Sequence, residues 1–459
     1  MDRLQTTPTM RPMLKHNRFW MMAALGASLL LLTTACGGDT GQDLAEDIID
    51  DIFDDEDKRA FADMSPSLGT TDAVPVKGRL VLETVNEDPL DTTPLAQLSQ
   101  DELKNTAVDL TLIQEDTGER TDLGPLTSGP EGYFDALIDT AALGLTPGQY
   151  TLEVQHNGRV AGTTRARLLA TDDTQIVIRS DVDLTYLDTD FQSSSGILEL
   201  MIQKSDDRVA LAAMETVYQN LRGDDDRPLT FLSGSPRFFK RILEGKMALD
   251  GVQHDGLVLK PFKDIVVNNI TEFEPQEIVE DLEEQIGYKL DALLRLRLEL
   301  PPNTREILMG DDSEADHVIY AIYHRFTSGQ LDTPGLLGEL RGLGVVPFWL
   351  DRIEAVAPQV EALVADTAPV VAIYINETGR SHSPFPVEDF DLDGLSRYHT
   401  GAWPLALDLF EEGILGEDDL RDIATRLQIL GQNNQARAAA ANTAVERGYL
   451  QPDTAARFE

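Results

Sequence analysis

QIVIRSDVDLTYLDTDF, residues 175–191, sets Ile176, Val177 and Ile178 directly before a run of acids. Three consecutive β-branched apolar residues are the pattern of a short strand buried on both faces. The strand leads into Ser180-Asp181-Val182-Asp183-Leu184-Thr185, so two carboxylates stand at its carboxyl end. In an open α/β sheet that end faces the crevice where ligands bind, and the helix N-termini around it offer unpaired N–H groups to anions. Two residues apart, Asp181 and Asp183 can point to one side of the exit loop. There a pair can hold a divalent cation, or divide nucleophilic and acid–base work. A chain with 80 Asp and Glu residues also places such strings in ordinary solvated loops. The residues downstream carry the distinction.

Working outward, residues 229–232 form a second strand, followed by Ser233-Gly234-Ser235-Pro236 and a helix from Arg237. Residues 256–259 read as a third strand and 288–300 as a helix. Residues 306–309 are a fourth strand, ending in Gly310-Asp311-Asp312-Ser313-Glu314-Ala315-Asp316, and 370–375 a fifth. Alternating strands and helices predict an α/β domain over 173–380. The segment 381–459 reads as a helical tail, amphipathic over 403–430 and Ala-rich over 436–444. Between them, residues 326–368 carry an apolar insertion with Leu336, Leu337, Phe348 and Trp349, which fits either a lipid-facing cover or added core.

Upstream, residues 76–172 read as all-β. The stretches 76–82, 108–112 and 151–154 alternate apolar and polar residues, with turn chemistry between them. Gly132-Tyr133-Phe134 and Leu145-Thr146-Pro147-Gly148-Gln149-Tyr150 resemble small immunoglobulin-like or prealbumin-like sandwiches, which serve as spacers or binding platforms. Residues 36–75 form an acidic linker. At the N-terminus, Arg11, Lys15 and Arg18 precede an apolar run over 19–32 and then Thr33-Thr34-Ala35-Cys36-Gly37-Gly38. This resembles a bacterial lipoprotein signal over 1–35, with Cys36 the lipidated first residue of the mature chain. It implies an envelope protein tethered to a membrane on its periplasmic or surface side. Ordinary cleavage near Ala35 would instead leave a free thiol. The run is short for a ~20-residue span. Cys36 is the only cysteine, so no intramolecular disulfide forms.

Composition narrows the function classes. The formal net charge is −42, which argues against nonspecific binding to nucleic acid. Asp389-x-Asp391-x-Asp393-Gly394 starts like a calcium loop but has Thr400 where a bidentate Glu belongs.

Asp181 with Asp183, Ser233, Lys289, and Asp311 with Asp316 follow one another along the chain, each after a strand or at a helix start. This order resembles the haloacid dehalogenase-like hydrolases. The strings Phe231-Leu232-Ser233-Gly234-Ser235-Pro236, Tyr288-Lys289-Leu290 and Gly310–Asp316, with Ile319-Tyr320, are similar to the phosphatidate phosphatase catalytic domain of the yeast actin-patch family and its bacterial relatives. The resemblance implies a Rossmannoid α/β fold and a magnesium-dependent phosphatase acting on phosphatidate or another phosphomonoester. In that reading Asp181 is the nucleophile and Asp183 the acid–base. Ser233, Gly234 and Lys289 receive the phosphate, and Asp181, Asp183, Asp311 and Asp316 surround Mg2+. A phosphate dianion repels an anionic nucleophile, so such a site needs a cation between them and donors around the phosphoryl oxygens. Lys260 and Lys263 are alternative phosphate ligands. Three positions depart from the family pattern: Leu184 stands where a third acid is common, Arg237 replaces an aromatic, and Tyr288 a histidine. Arg237, at a helix start beside the site, can alter which leaving group is accepted.

Overall fold

A computed structural model of the chain describes residues 58–84, 93–98, 100–189, 200, 202–223, 226–261, 284–364, 367–379, 385–392 and 394–458. The signal segment, Cys36, Lys263 and Asp393 lie outside the described residues.

The first sheet contains β1 (Lys58–Met64), β2 (Ser67–Thr70), β3 (Ala73–Thr84), β4 (Asp101–Glu102), β5 (Ala107–Gln114), β6 (Arg120–Thr127), β7 (Tyr133–Asp139), β8 (Gly148–His156) and β9 (Arg159–Leu169). They pair in the order β1-β3-β2-β9-β8-β5-β6, with β4 and β7 also on β3. A strand's side chains alternate between faces. Val108, Leu110 and Leu112 of β5 therefore all point inward, and they join Val76, Leu80, Leu152 and Val154 in one core. The linker expected through residue 75 gives way to strands at Lys58: β1 pairs with β3 along its whole length, and β2 runs beside β9. Composition concealed β2, whose SLGT has one apolar residue and owes its place to pairing.

The second sheet is parallel throughout: β10 (Ile176–Ser180), β11 (Leu229–Pro236), β12 (Gly256–Lys260), β13 (Arg305–Asp311), β14 (Val370–Asn376) and β15 (Ser396–His399). Their order is β12-β11-β10-β13-β14-β15. The winding reverses between β10 and β13, which in doubly wound sheets is where a crevice opens beyond the strand ends. Adjacent residues of β13 serve opposite faces: Ile307 and Met309 enter one core and Leu308 the other. The helices that position the site are α1 (Met214–Arg222), α2 (Lys240–Leu249), α3 (Gln285–Leu298) and α4 (Asp316–Thr327). They are followed by α5 (Thr333–Gly342), α6 (Pro347–Val364), α7 (Ala402–Glu411), α8 (Glu417–Ile429) and α9 (Asn434–Glu446).

Of the two readings of the apolar insertion, added core holds: Leu336, Leu340, Trp349 and Ile353 of α5 and α6 pack with Leu308 and Ile373. One sequence expectation changes here. The segment 381–459 is helical for most of its length, but it is no appendage. It supplies β15, and Trp403, Leu407 and Leu420 share a core with Ile178 and Phe231. SRYH carries no alternation from which an edge strand could be read.

A buried ion network ties the centre of this sheet together. Arg179 Nε donates to Glu306 Oε1 at 2.5 Å, the Tyr323 hydroxyl donates to Glu306 Oε2 at 2.8 Å, and Arg297 lies 3.7 Å from the same oxygen. Burial alone would raise the Glu306 carboxyl, but Arg179 and Arg297 outweigh it and hold the group below its ordinary range. Removing one member of such a network leaves the others charged in a low dielectric. Glu306→Ala is expected to cost about 3–5 kcal/mol, read from urea denaturation; a loss under about 1 kcal/mol would contradict this account.

Candidate active site

The loop leaving β10 is held in one shape by short-range bonds. Asp181 N donates to Met309 O at 2.8 Å, joining the strand end to β13. Leu187 N and Tyr186 N both donate to Val182 O at 2.9 Å, and Leu184 N donates to Leu187 O at 2.8 Å. Inside this turn Leu184 has φ +55°, a left-handed conformation that costs a non-glycine residue about 1–2 kcal/mol. Asn376, at the end of β14, supports the turn by donating from Nδ2 to Leu184 O at 2.7 Å.

The second half of the site is the end of β13. Asp311 and Asp316 bracket the acidic loop, and Asp316 opens α4, where the helix N-terminus favours a negative group. Asp311 Oδ1 accepts from Ser313 N at 2.6 Å and Glu314 N at 3.2 Å, which closes the loop. Asp316 folds back across Gly310, where an added Cβ would lie 2.6 Å from the Asp316 Cβ. Glycine is required there by close approach. The result is three buried carboxylates, Asp181, Asp311 and Asp316, whose facing oxygens lie within 4.8 Å of one another.

Lys289 of α3 reaches into this group, fully enclosed. Its Nζ lies 2.6 Å from Asp316 Oδ1, 2.8 Å from Asp181 Oδ1 and 3.1 Å from Glu314 Oε2. The contact to Asp181 lacks hydrogen-bond geometry, so neither Asp181 oxygen nor Asp311 Oδ2 has a donor. Orphaned carboxylate oxygens in a dry site, facing one another, are the donor set that a hard divalent cation satisfies. The alternative cation, Lys260, is buried at the end of β12.

Asp183 stands apart from the three. Its Oδ2 accepts from the Ser233 hydroxyl at 2.9 Å and the Ser235 hydroxyl at 3.0 Å, while Oδ1 has no donor. The register of β11 against β12 shifts between Ser233 and Pro236, which turns both serines toward the loop. Gly234 lies against Gln285 at the start of α3, where a Cβ would come within 2.1 Å of the amide oxygen. Asp181, Asp183, Ser233, Gly234, Lys289, Asp311 and Asp316 thus gather at one sheet edge, with Asp183 on the serines rather than among the three clustered carboxylates. Ser235, Glu314 and Asn376 were not singled out. The repeated serine in Ser-Gly-Ser and the extra acid in the Asp311 loop were the available signals, whereas Asn376 left none. No carboxylate cluster of this kind forms at Asp389 among the described residues.

The electrostatics follow from burial. Desolvation, followed by the neighbouring acids, pushes the Asp181 and Asp311 carboxyls well above the ordinary range, with Lys289 opposing. Burial would depress the Lys289 ammonium, but Asp181, Asp316 and Glu314 outweigh it and hold the group well above its usual value. Lys289 is therefore a cation across the neutral range.

A parallel sheet with acids and a lysine at its switch point is suited to phosphoryl chemistry, where charge must be balanced around a dianion. Residues 176–332 match the family described as "Phosphatidate phosphatase APP1, catalytic domain", so this segment is similar to the catalytic domain of a phosphoric monoester hydrolase. No curated protein matches the chain. Among solved structures, similar chains include a glycosyl hydrolase family 2 member from Bacteroides cellulosilyticus, with 9% identity and TM-score 0.21, covering 77% of this chain and 41% of that one. A cycloisomaltooligosaccharide glucanotransferase from Paenibacillus sp. has 8% identity and TM-score 0.17, covering 70% of this chain and 53% of that one. This chain thus spans about half or less of those proteins' length, and such scores carry no argument about the fold.

Lys289→Met would leave three or four acids facing each other without compensation. A carboxyl raised in the folded state binds more protons folded than unfolded, so its unfavourable charge is relieved as pH falls. The variant is expected to lose about 3–5 kcal/mol at pH 8 and clearly less at pH 5, measured by denaturation at both values. Equal losses at the two pH values would show that Lys289 acts through packing instead.

Proposed function

We propose that this protein is a magnesium-dependent phosphatase that hydrolyses a phosphomonoester through an aspartyl-phosphate, with phosphatidate, converted to diacylglycerol and phosphate, as the favoured substrate. The observation that carries the reading is Lys289 buried among Asp181, Asp311 and Asp316 at the switch point of the sheet. The family match supplies the phosphatidate class.

Each residue has a task that its position allows. An Asp181 oxygen attacks phosphorus as the bond to the ester oxygen breaks, and a proton from Asp183 Oδ1 goes to the leaving alkoxide. The two serines hold Asp183 Oδ2, which leaves Oδ1 turned to this work. Asp183 then takes a proton from water as that water attacks phosphorus, which frees phosphate and restores Asp181. Lys289 and the turn at Ser233 and Gly234 receive the phosphoryl oxygens. Asp181, Asp311 and Asp316 would hold Mg2+, which supplies charge neutralisation between phosphate and carboxylate. Asp183 is not part of this set.

Around this domain we place a haloacid dehalogenase-like fold for the parallel sheet and a sandwich spacer for the first sheet. The pattern at 33–38 supports a lipoprotein held in the cell envelope through Cys36. A tether would keep a chain of net charge −42 near an anionic membrane that otherwise repels it. Among the described residues no helix is long and apolar enough to cross a membrane. A soluble phosphomonoester is the second reading, favoured by the enclosure of the carboxylates; a non-catalytic envelope scaffold is the third.

Phosphate release from phosphatidate vesicles and from p-nitrophenyl phosphate, with Mg2+ or EDTA, separates these readings. Mg2+-dependent release is expected from wild type, with a loss of at least about 1,000-fold in Asp181→Asn. Asp183→Asn should lose about 100-fold or more, the scale of a general acid–base. Release that survives Asp181→Asn would refute the nucleophile assignment, and a wild type silent on both substrates would favour the scaffold.

The protein's response to Mg2+ provides a check that does not depend on turnover. Mg2+ should raise the midpoint of thermal unfolding, and more at pH 8 than at pH 5.5, because protons compete for Asp181 and Asp311 at low pH. A shift that persists in an Asp311→Asn, Asp316→Asn double variant would place the ion elsewhere.

A further inference from the structure

β14 ends at Asn376, and the residues at this end reach both loops that carry the acids. Asn376 stands level with Asp311 of β13 on one side and with His399 of β15 on the other. Its side chain donates from Nδ2 to Leu184 O at 2.7 Å, and its Oδ1 accepts from Gly401 N at 3.2 Å. Its backbone oxygen accepts from Asp312 N at 3.1 Å. Two residues on, Thr378 donates to Asp312 Oδ1 twice, from N at 2.9 Å and from its hydroxyl at 2.8 Å. The Ser313 hydroxyl lies 2.5 Å from Thr378 Oγ1 and, with the threonine proton committed to Asp312, donates to it. Glu377, between the two, is tied to the last part of the chain: its N donates to His399 O at 2.9 Å and its carboxylate pairs with Arg447.

The two grips correspond. Leu184 is the residue after Asp183, and Asp312 is the residue after Asp311. Each loop is thus held one residue beyond an acid of the site, and both holds come from one three-residue stretch. The first loop needs an outside hold because Leu184 is left-handed, a conformation that its own backbone disfavours. The second needs one because Mg2+ takes ligands in near-octahedral geometry at about 2.0–2.1 Å, which carboxylates from two separate strands meet only when their spacing is fixed. Displacing a reacting group by about 1 Å can cost about 100-fold in rate. Both residues lie beyond 176–332, the segment matched to the phosphatase family.

We propose that Asn376 and Thr378 are positioning residues of the phosphatase site with separate tasks: Asn376 sets the turn that aims Asp183 at the leaving group, and Thr378 sets the loop that presents Asp311 to the cation. The inference rests on the phosphatase reading above and adds how the two acid-bearing loops are kept in register. Each residue acts through the neighbour of an acid and touches neither substrate nor metal. The segment after residue 376 enters the chemistry by the same route, because Gly401 before α7 and Arg447 after α9 hold Asn376 and Glu377.

The test uses the full chain and reads the two tasks apart. Phosphate release is followed from phosphatidate vesicles or p-nitrophenyl phosphate, whichever wild type turns over faster, and Mg2+ binding by titration calorimetry without substrate. Asn376→Leu should lower kcat about 10- to 100-fold while KM and the Kd for Mg2+ move less than about threefold. Thr378→Val keeps the shape and loses the hydroxyl; it should weaken Mg2+ binding about tenfold or more and recover kcat to within about threefold of wild type at saturating Mg2+. Thr378→Ser restores the hydroxyl and should restore Mg2+ affinity. If Asn376→Leu folds poorly, Asn376→Thr removes the same bond to Leu184 O with a residue suited to a strand end. Equal losses of rate and Mg2+ affinity in both variants would mean a general loosening of the site and overturn the proposal, as would folded variants indistinguishable from wild type. A wild type that binds Mg2+ but releases no phosphate removes the phosphatase reading and the Asn376 task with it, and calorimetry on Thr378→Val then decides the other.

Discussion

One ammonium makes the rest of the site possible. Asp181, Asp311 and Asp316 face each other in a space closed to water, where like charges repel several times more strongly than at a surface. Lys289 lies within 2.8 Å of two of them and offsets that repulsion from the neighbouring helix. Its position is set by α3, which packs against α6 and the edge of β11. The helix carrying the lysine is therefore fixed by the apolar insertion that the sequence left without a role. Trp349 of α6 lies against Gly287, where an added Cβ would come within 2.6 Å of the indole's Cβ, so the two helices meet at van der Waals distance two residues from the lysine.

The same economy governs Asp183. A carboxylate that must face a substrate cannot also be locked by many partners. Here two serine hydroxyls fix one oxygen and leave the other without a donor. The left-handed Leu184 belongs to this compromise: the turn that carries Asp183 past the strand end is strained at one residue and held by the Asn376 side chain. Strain of this kind persists where the surroundings over-determine it, and it clusters at sites that do chemistry.

Much of this was legible in the sequence, and the limits have physical causes. The strands at 176–180, 229–236, 256–260 and 305–311 announce themselves because parallel strands buried on both faces are written as apolar runs. Asp181, Ser233, Lys289, Asp311 and Asp316 were readable because each follows such a run or sits in the helix after it. What stayed hidden depends on partners far away in the chain. β2 and β15 are four-residue strands with little apolar content, placed by pairing of β2 with β3 and β9 and of β15 with β14. Asn376 acts through its contact with Leu184, 192 residues earlier, and no local pattern marks such a contact.

The place of β15 in the sheet has a consequence for how the protein is made. Parallel pairing beside β14 must wait for residues 396–399, and Trp403, Leu407 and Leu420 are needed to cover the face that holds Ile178 and Phe231. A growing chain that has already produced all the acids of the site still presents an open strand edge and a bare apolar face. Until the last helices emerge, that intermediate is the form most exposed to aggregation. Chaperone capture of the unfolded chain should thus matter most in the final stage of synthesis, and a nonsense change even late in the gene would strand a sheet whose acids are all present but whose fold is not complete.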